Sequence, residues 1–275
     1  MIEFRKAKKD YSNINMDLSL KINKGEIVLL VGKNASGKTS SIKLLLGVNE
    51  LDYGSVDLDG EKIQKVDKEK FGFVLQDSFF PMDFTPRQIS SILGSSYKKF
   101  DTNLFYEYLA KFGLPSRDKI KTYSNGMLAK LKIISAICHD PEIIILDEPT
   151  LGLDLLSRDA IINLIRDIMD DDKTIIIASH LTYEFENLCD RVVFIDQGQI
   201  IGYFEMDLVD SSLGLIKGDL NIQEDLDKDD ILSMEIEDYS VTYLVKNRQK
   251  YMDGKFLMEK ASLEDLVRAI YRRRK

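Results

Sequence analysis

Four short aliphatic runs organise the chain, at residues 26–31, 71–75, 143–146 and 174–178. Each is continuously apolar rather than alternating, the pattern of strands buried on both faces of a parallel sheet. Between them the period becomes helical. Ala160, Ile161, Leu164, Ile165 and Ile168 fall on one stripe of segment 156–169, which predicts an amphipathic helix with one face on a core. Strands alternating with helices predict an α/β fold.

Two stretches break that rhythm. Residues 76–135 hold Pro81, Pro86 and Pro115 among many aromatics at helical spacing. Asp101 or Thr102 is placed to cap a helix whose stripe is Leu104/Phe105, Tyr108/Leu109 and Phe112; Gly113 ends it and Pro115 prevents its resumption. This reads as a helical lobe inserted into the α/β core. Beyond residues 199–203 the pattern changes again. Residues 218–230 are acidic and polar, a linker or surface loop, and 241–245 suit a strand. Ser262 with Asp265 resembles a capping box opening a last helix, which runs to the basic tail 272–275. The expected division is a core over 1–210, containing the helical subdomain at about 76–135, and a small α+β extension over 211–275.

Composition narrows the function. The 275 residues carry a net charge of −8, which argues against a nucleic-acid partner bound through its phosphate backbone. Cys138 and Cys189 lie far apart and lack metal-type spacing, which fits a reducing compartment without disulfides. The first six residues are charged and include no apolar stretch of the kind a signal peptide needs. No apolar run reaches the roughly 18–20 residues that span a bilayer. A transport role therefore requires a separate membrane partner.

The chemistry is concentrated at the ends of the predicted strands. Gly32-Lys33-Asn34-Ala35-Ser36-Gly37-Lys38-Thr39 follows a strand and opens a helix over about 39–46, with Ser40 in its first turn. Glycines at these positions let backbone N–H groups turn inward on phosphate oxygens, and the positive end of the helix adds to the attraction. Lys38 is placed for the β- and γ-phosphates, and the Thr39 hydroxyl for Mg²⁺. The run 143–146 delivers Asp147 and Glu148 at a strand end, where ligands of open α/β sheets bind. Asp147 is a candidate to hold Mg²⁺ through water, and Glu148 to act as general base on an attacking water; the plainer alternative is a helix cap. His180 also follows a strand and is a candidate contact for the γ-phosphate. His139 is assigned no role.

In order along the chain stand the phosphate loop, Gln76 after Phe73-Val74-Leu75, Tyr123-Ser124-Asn125-Gly126-Met127, Asp147-Glu148, Leu151-Gly152-Leu153-Asp154 and His180. Jointly they resemble the ABC ATPases, a P-loop NTPase family, over about residues 1–203. The resemblance implies a MgATP hydrolase working as a head-to-tail dimer. Each ATP is then held between one subunit's phosphate loop and the other's signature segment, so the cofactors are ATP and Mg²⁺. It casts Ser124, Asn125, Gly126 and Met127 as the signature, with the Ser124 hydroxyl and Gly126 N–H facing the γ-phosphate, Gln76 as the residue sensing Mg²⁺ and linking to the membrane partner, and Asp154 as the residue crossing the dimer. Tyr11 resembles the aromatic that stacks on adenine, the alternative being a packed surface tyrosine. The signature departs from the usual Leu-Ser-Gly-Gly-Gln: Asn125 replaces a glycine, Met127 replaces the glutamine, and Leu151 replaces a serine before Gly152. Gly126-Met127, residues 97–101 and residues 262–266 resemble ABC-2-type bacterial exporters of peptides, antimicrobials, lipids or drugs. The partners implied are an integral membrane subunit and a second ATPase subunit, identical or different, at the cytoplasmic face of the membrane. Residues 79–84 are where a helix of that membrane subunit docks, unless their aromatics fill the lobe's own core. The tail 272–275 either touches anionic lipid or ends its helix in solvent. The rival reading is a soluble ABC-type ATPase acting on nucleic acid or ribosomes. Such proteins carry two cassettes or a long coiled coil, and this chain has one phosphate loop and no heptad tract.

Overall fold

The computed structural model describes the chain except residues 77–79, 171, 220–221, 237–239, 253–255 and 273–275. It divides into two compact units, one of residues 1–181 and 191–203 and one of residues 182–190 and 204–275.

In chain order, the larger unit contains β1 (Ile2–Asp10), β2 (Asn15–Ile22), β3 (Ile27–Val31), α1 (Lys38–Leu45), β4 (Tyr53–Leu58), β5 (Glu61–Lys62), β6 (Phe71–Val74), α2 (Pro86–Ser96), α3 (Thr102–Lys111), α4 (Asn125–Ile137), β7 (Ile143–Asp147), α5 (Leu155–Ile168), β8 (Thr174–Ser179) and β9 (Arg191–Asp196). β10 (Gln199–Glu205) crosses the division. The strands form one sheet in the order β5-β4-β1-β2-β10-β9-β3-β8-β7-β6. β3, β6, β7, β8 and β9 are parallel. Every residue of β3, β7 and β8 is buried, as continuous apolar runs require of strands covered on both faces. Each buried Ile or Leu contributes roughly 1.5–3 kcal/mol.

The antiparallel edge β1/β2/β4/β5 escapes the aliphatic pattern. In β1, Ile2, Phe4 and Ala7 are buried while the charged residues between and after them face out. The register shifts between Phe4 and Ala7, with Lys6 at φ 47°; this bulge destroys the two-residue period. Gly54 lies opposite at φ 80°, where a Cβ would run into the Lys6 carbonyl oxygen, so only glycine fits.

The three helices α2, α3 and α4 lie between β6 and β7. Asp101 caps α3 by accepting from the Leu104 N–H at 3.0 Å, and Gly113 beyond its end has φ 67°, as expected. Of the anticipated docking segment, Phe79 lies outside the described residues. Phe80 and Phe84 are half-buried and Met82 is exposed.

The smaller unit holds α6 (Met206–Ser212), β11 (Gly214–Gly218), β12 (Ile231–Ile236), β13 (Val241–Val245), β14 (Leu257–Lys260) and α7 (Leu263–Arg272). Its antiparallel sheet runs β12-β13-β11-β14 over a core that includes Ile216, Val241, Tyr243 and Tyr251. The division falls before residue 204, not after the expected 210. Met206 and Val209 of α6 are buried, and the Met206 N–H donates to the Asp190 carbonyl within the same unit. Segment 182–190 joins it because Glu186 Oε1 accepts from the Leu263 N–H at 2.9 Å. At the start of α7, Asp265 Oδ2 accepts from Ser262 N and Oγ, and Ser262 Oγ accepts from Asp265 N. Residues 218–230 are not wholly loop, since Ile222–Asp225 forms a 3₁₀ turn. Arg272 pairs with Glu235 at 2.7 Å; the rest of the basic tail lies outside the described residues. Among the described residues no helix is long and apolar enough to cross a membrane.

Candidate functional site

β3, β6, β7 and β8 run parallel, so the loops that follow them open at one edge of the sheet. A cleft of about 460 Å³ lies there, lined by Tyr11, residues 33–40, Gln76, Glu148 and His180. Asn13, Ile14 and Leu151 complete its lining.

The loop between β3 and α1 is shaped by its glycines. Gly37 caps α1 at φ 109°, a conformation glycine adopts without strain. A Cβ on Gly32 would run into Ser36 Oγ and come within 2.8 Å of the Ile195 carbonyl oxygen. The Gly198 N–H pins the loop by donating to the Ser36 carbonyl at 2.9 Å. Ser36 Oγ is buried without a hydrogen-bond partner, and the Ser36 N–H closes the loop by donating to the Lys33 carbonyl at 3.1 Å. α1 begins at Lys38, one residue before the expected start.

Lys38 is 6% exposed. Its Nζ donates to the carbonyls of Gly32 at 2.7 Å and Lys33 at 3.3 Å, and lies 3.2 Å from Glu148 Oε1. The Thr39 hydroxyl donates to Asp147 Oδ2 at 2.7 Å. Asp147 is 1% exposed and its Oδ1 has no hydrogen-bond partner. Burial pushes its carboxyl above the usual carboxylate range; the Thr39 bond and Lys38 oppose this, and the neighbouring Glu148 reinforces it. A hydroxyl and a carboxylate with an uncommitted buried oxygen are hard oxygen donors of the kind Mg²⁺ takes. The donor set fits that ion.

Glu148 has φ 50°. A left-handed glutamate is strained by about 1–3 kcal/mol, and the strain is held by its N–H donating to the Ala178 carbonyl of β8 at 2.8 Å. Its Oε2 lies 2.8 Å from His180 Nδ1. The two strand ends thus bring together a carboxylate and an imidazole 32 residues apart in sequence.

Tyr11 packs against the core as well as lining the cleft, and its hydroxyl accepts from Asn49 Nδ2 at 2.8 Å. Asn49 gave no sign of itself in the sequence. Asn13 and Ile14 were within reach of a reading from Tyr11, since the turn closes with Tyr11 N–H donating to the Ile14 carbonyl.

Among the described residues, the cleft's lining includes none of Ser124, Asn125, Gly126, Met127 or Asp154. Ser124 caps α4, its hydroxyl accepting from the Met127 N–H at 3.2 Å. Asn125 is already the first residue of that helix and has no positive φ. A Cβ on Gly126 would run into Ser157 Oγ. Asp154 caps α5, accepting from Ser157 N at 3.0 Å and Ser157 Oγ at 2.7 Å. The Ser157 hydroxyl, followed by its N–H, holds the Asp154 carboxyl below the ordinary range.

The family model described as ABC transporter matches residues 15–151. The chain is 32% identical, over 75% of its length and 73% of the relative's, to the ABC transporter ATP-binding protein YtrB of Bacillus subtilis (strain 168). It is 33% identical to the Nod factor export ATP-binding protein I of Burkholderia orbicola (strain AU 1054), over 73% of this chain and 69% of the relative. Among solved structures, it superposes on the ATP-binding cassette MJ0796, a dimeric post-hydrolysis state bound to ADP and Pi. The TM-score is 0.66 and the identity 21%, over 75% of this chain and 99% of that one.

Proposed function

This chain belongs to the ABC transporter ATP-binding proteins, and from that premise we propose that it is the ATP-hydrolysing subunit of a bacterial exporter, working as a pair of cassettes on a separate membrane subunit. The export direction is supported by the likeness to a Nod factor export protein. The expected station is the cytoplasmic face of the membrane.

The observation that carries the catalytic reading is the Glu148 carboxylate, fixed 2.8 Å from His180 Nδ1 beside the phosphate-loop lysine. Backbone amides of the loop before α1, with Lys38, bind the phosphates. Thr39 and Asp147 hold Mg²⁺, with Gln76 at the rim of the same cleft. When bound, that cation neutralises charge on the β- and γ-phosphate oxygens. Glu148 takes the proton from the attacking water, and His180 orients the carboxylate and meets the γ-phosphate. Tyr11 stacks on the base.

Ser124, Gly126 and Asp154 act on the other subunit's nucleotide. Ser124 accepts its capping bond from Met127, which leaves its proton to donate. The α4 N-terminus behind it adds partial positive charge. Glu148→Gln should trap ATP between two chains, so the variant should shift from monomer to dimer on size exclusion with ATP and not with ADP. Adding Ser124→Arg should abolish that shift. A dimer that survives Ser124→Arg would remove Ser124 from the shared site. Failure of Glu148→Gln to dimerise while binding ATP would point to a different partner ATPase.

A further inference from the structure

Lys38 has three N–H donors, and three acceptors surround them: the carbonyls of Gly32 and Lys33 and the Glu148 carboxylate. Glu148 is equally committed, with one oxygen on Lys38 and the other on His180. The Lys38 and Glu148 side chains are 7% and 6% exposed. The ammonium that should bind phosphate and the carboxylate that should activate water therefore neutralise one another.

We infer that the Lys38–Glu148 ion pair is an autoinhibitory contact: phosphate binding and a free general base are reached by the same event, the exchange of Glu148 for a phosphate oxygen on Lys38. The inference rests on the reading of Lys38 as phosphate ligand and Glu148 as base. Breaking a buried pair without replacement leaves an uncompensated charge and is strongly unfavourable. A polyphosphate supplies the replacement, since it brings more negative charge to the ammonium than one carboxylate does. The backbone of Glu148 stays tied to Ala178, so the exchange is a side-chain rotation rather than a loop movement. The device holds the base inactive until the substrate it acts on is seated.

The test uses the full chain and ADP without Mg²⁺, measured by calorimetry on wild type, Glu148→Gln and Glu148→Asp. Glutamine removes the ion pair and the charge. Aspartate keeps the charge but is one methylene too short to hold Lys38 in the same position. The contact predicts that both variants bind ADP more tightly than wild type, by about tenfold. If glutamine alone tightens binding, the cause is repulsion between Glu148 and the phosphates, and the inference fails. Unchanged affinity in both variants also overturns it. The underlying reading is tested separately by hydrolysis: a Glu148→Gln protein turning over ATP at the wild-type rate would refute the base, whatever its affinity for ADP.

Discussion

His139 lies just beyond the end of α4. The ring is 2% exposed and stacked on Tyr97 with centroids 4.1 Å apart. Its Nε2 lies 3.1 Å from the Phe71 carbonyl. A carbonyl only accepts, so Nε2 carries the proton and Nδ1 is bare. Nδ1 is buried and has no hydrogen-bond partner. Protonating it would place a charged N–H where nothing accepts. Burial accordingly pushes the imidazole below its ordinary value, outweighing the bond to Phe71. An unfolded histidine takes its proton near pH 6.5; the folded one resists until lower pH. Below pH 6.5 the unfolded chain therefore binds more protons, and stability falls as pH falls. The slope from one group is at most about 1.4 kcal/mol per pH unit. His139→Gln keeps an N–H for Phe71 and removes the titration. Denaturant unfolding at pH 7.5, 6.5 and 5.5 should show the wild type losing stability faster than the variant below pH 6.5. The loss of the Tyr97 stack should appear only as a pH-independent offset. Only His180 remains as a second histidine, and it is common to both proteins. Parallel stability–pH curves for the two would show that His139 does not carry this pH dependence.

Lys38→Ala should weaken MgATP binding by roughly 10²–10⁴-fold, from two lost charge-assisted bonds of about 1.5–3 kcal/mol each; titration with a fluorescent ATP analogue reads it, and undiminished affinity would remove the phosphate-loop assignment. Tyr11→Ala should weaken ATP and GTP alike, by about 1–3 kcal/mol, because stacking uses the π-face of the base; unchanged affinity for both in the same titration would leave Tyr11 a packing residue held by Asn49. Burial pushes the thiols of Cys138 and Cys189 up to about 12, so neither should react with Ellman's reagent at pH 8 in the native protein, and both should react in denaturant. Raised thiol values also mean that the fold favours the neutral form, so alkaline pH should destabilise it.

What the sequence revealed, and what it hid, follow from the range of the interactions. The strand runs 143–146 and 174–178 were legible because burial on both faces leaves no polar position to break the pattern. The phosphate loop was legible because its backbone demands glycine at fixed offsets from Lys38. Asp147 and Glu148 could be placed at a strand end, but the bonds that set their chemistry could not. Thr39 meets Asp147 across 108 positions, and Lys38 meets Glu148 across 110. The strand β1 hid behind a bulge and a run of lysines. Three strands of the small sheet, β11, β12 and β14, were missed for a related reason: each is short and only partly buried. The bonds by which Asp154 caps α5, to the N–H and hydroxyl of Ser157, are local contacts that the spacing alone did not disclose.

In the proposed mechanism Glu148 activates water on ATP seated by Lys38, Thr39 and Asp147. The most direct test is steady-state ATP hydrolysis by Glu148→Gln beside an active wild type, with MgATP binding measured on the same preparations. Glutamine preserves the shape and one acceptor oxygen but takes no proton at neutral pH. MgATP binding should be retained and turnover lowered by about 10²–10⁴-fold. Hydrolysis at the wild-type rate by the variant would contradict that mechanism.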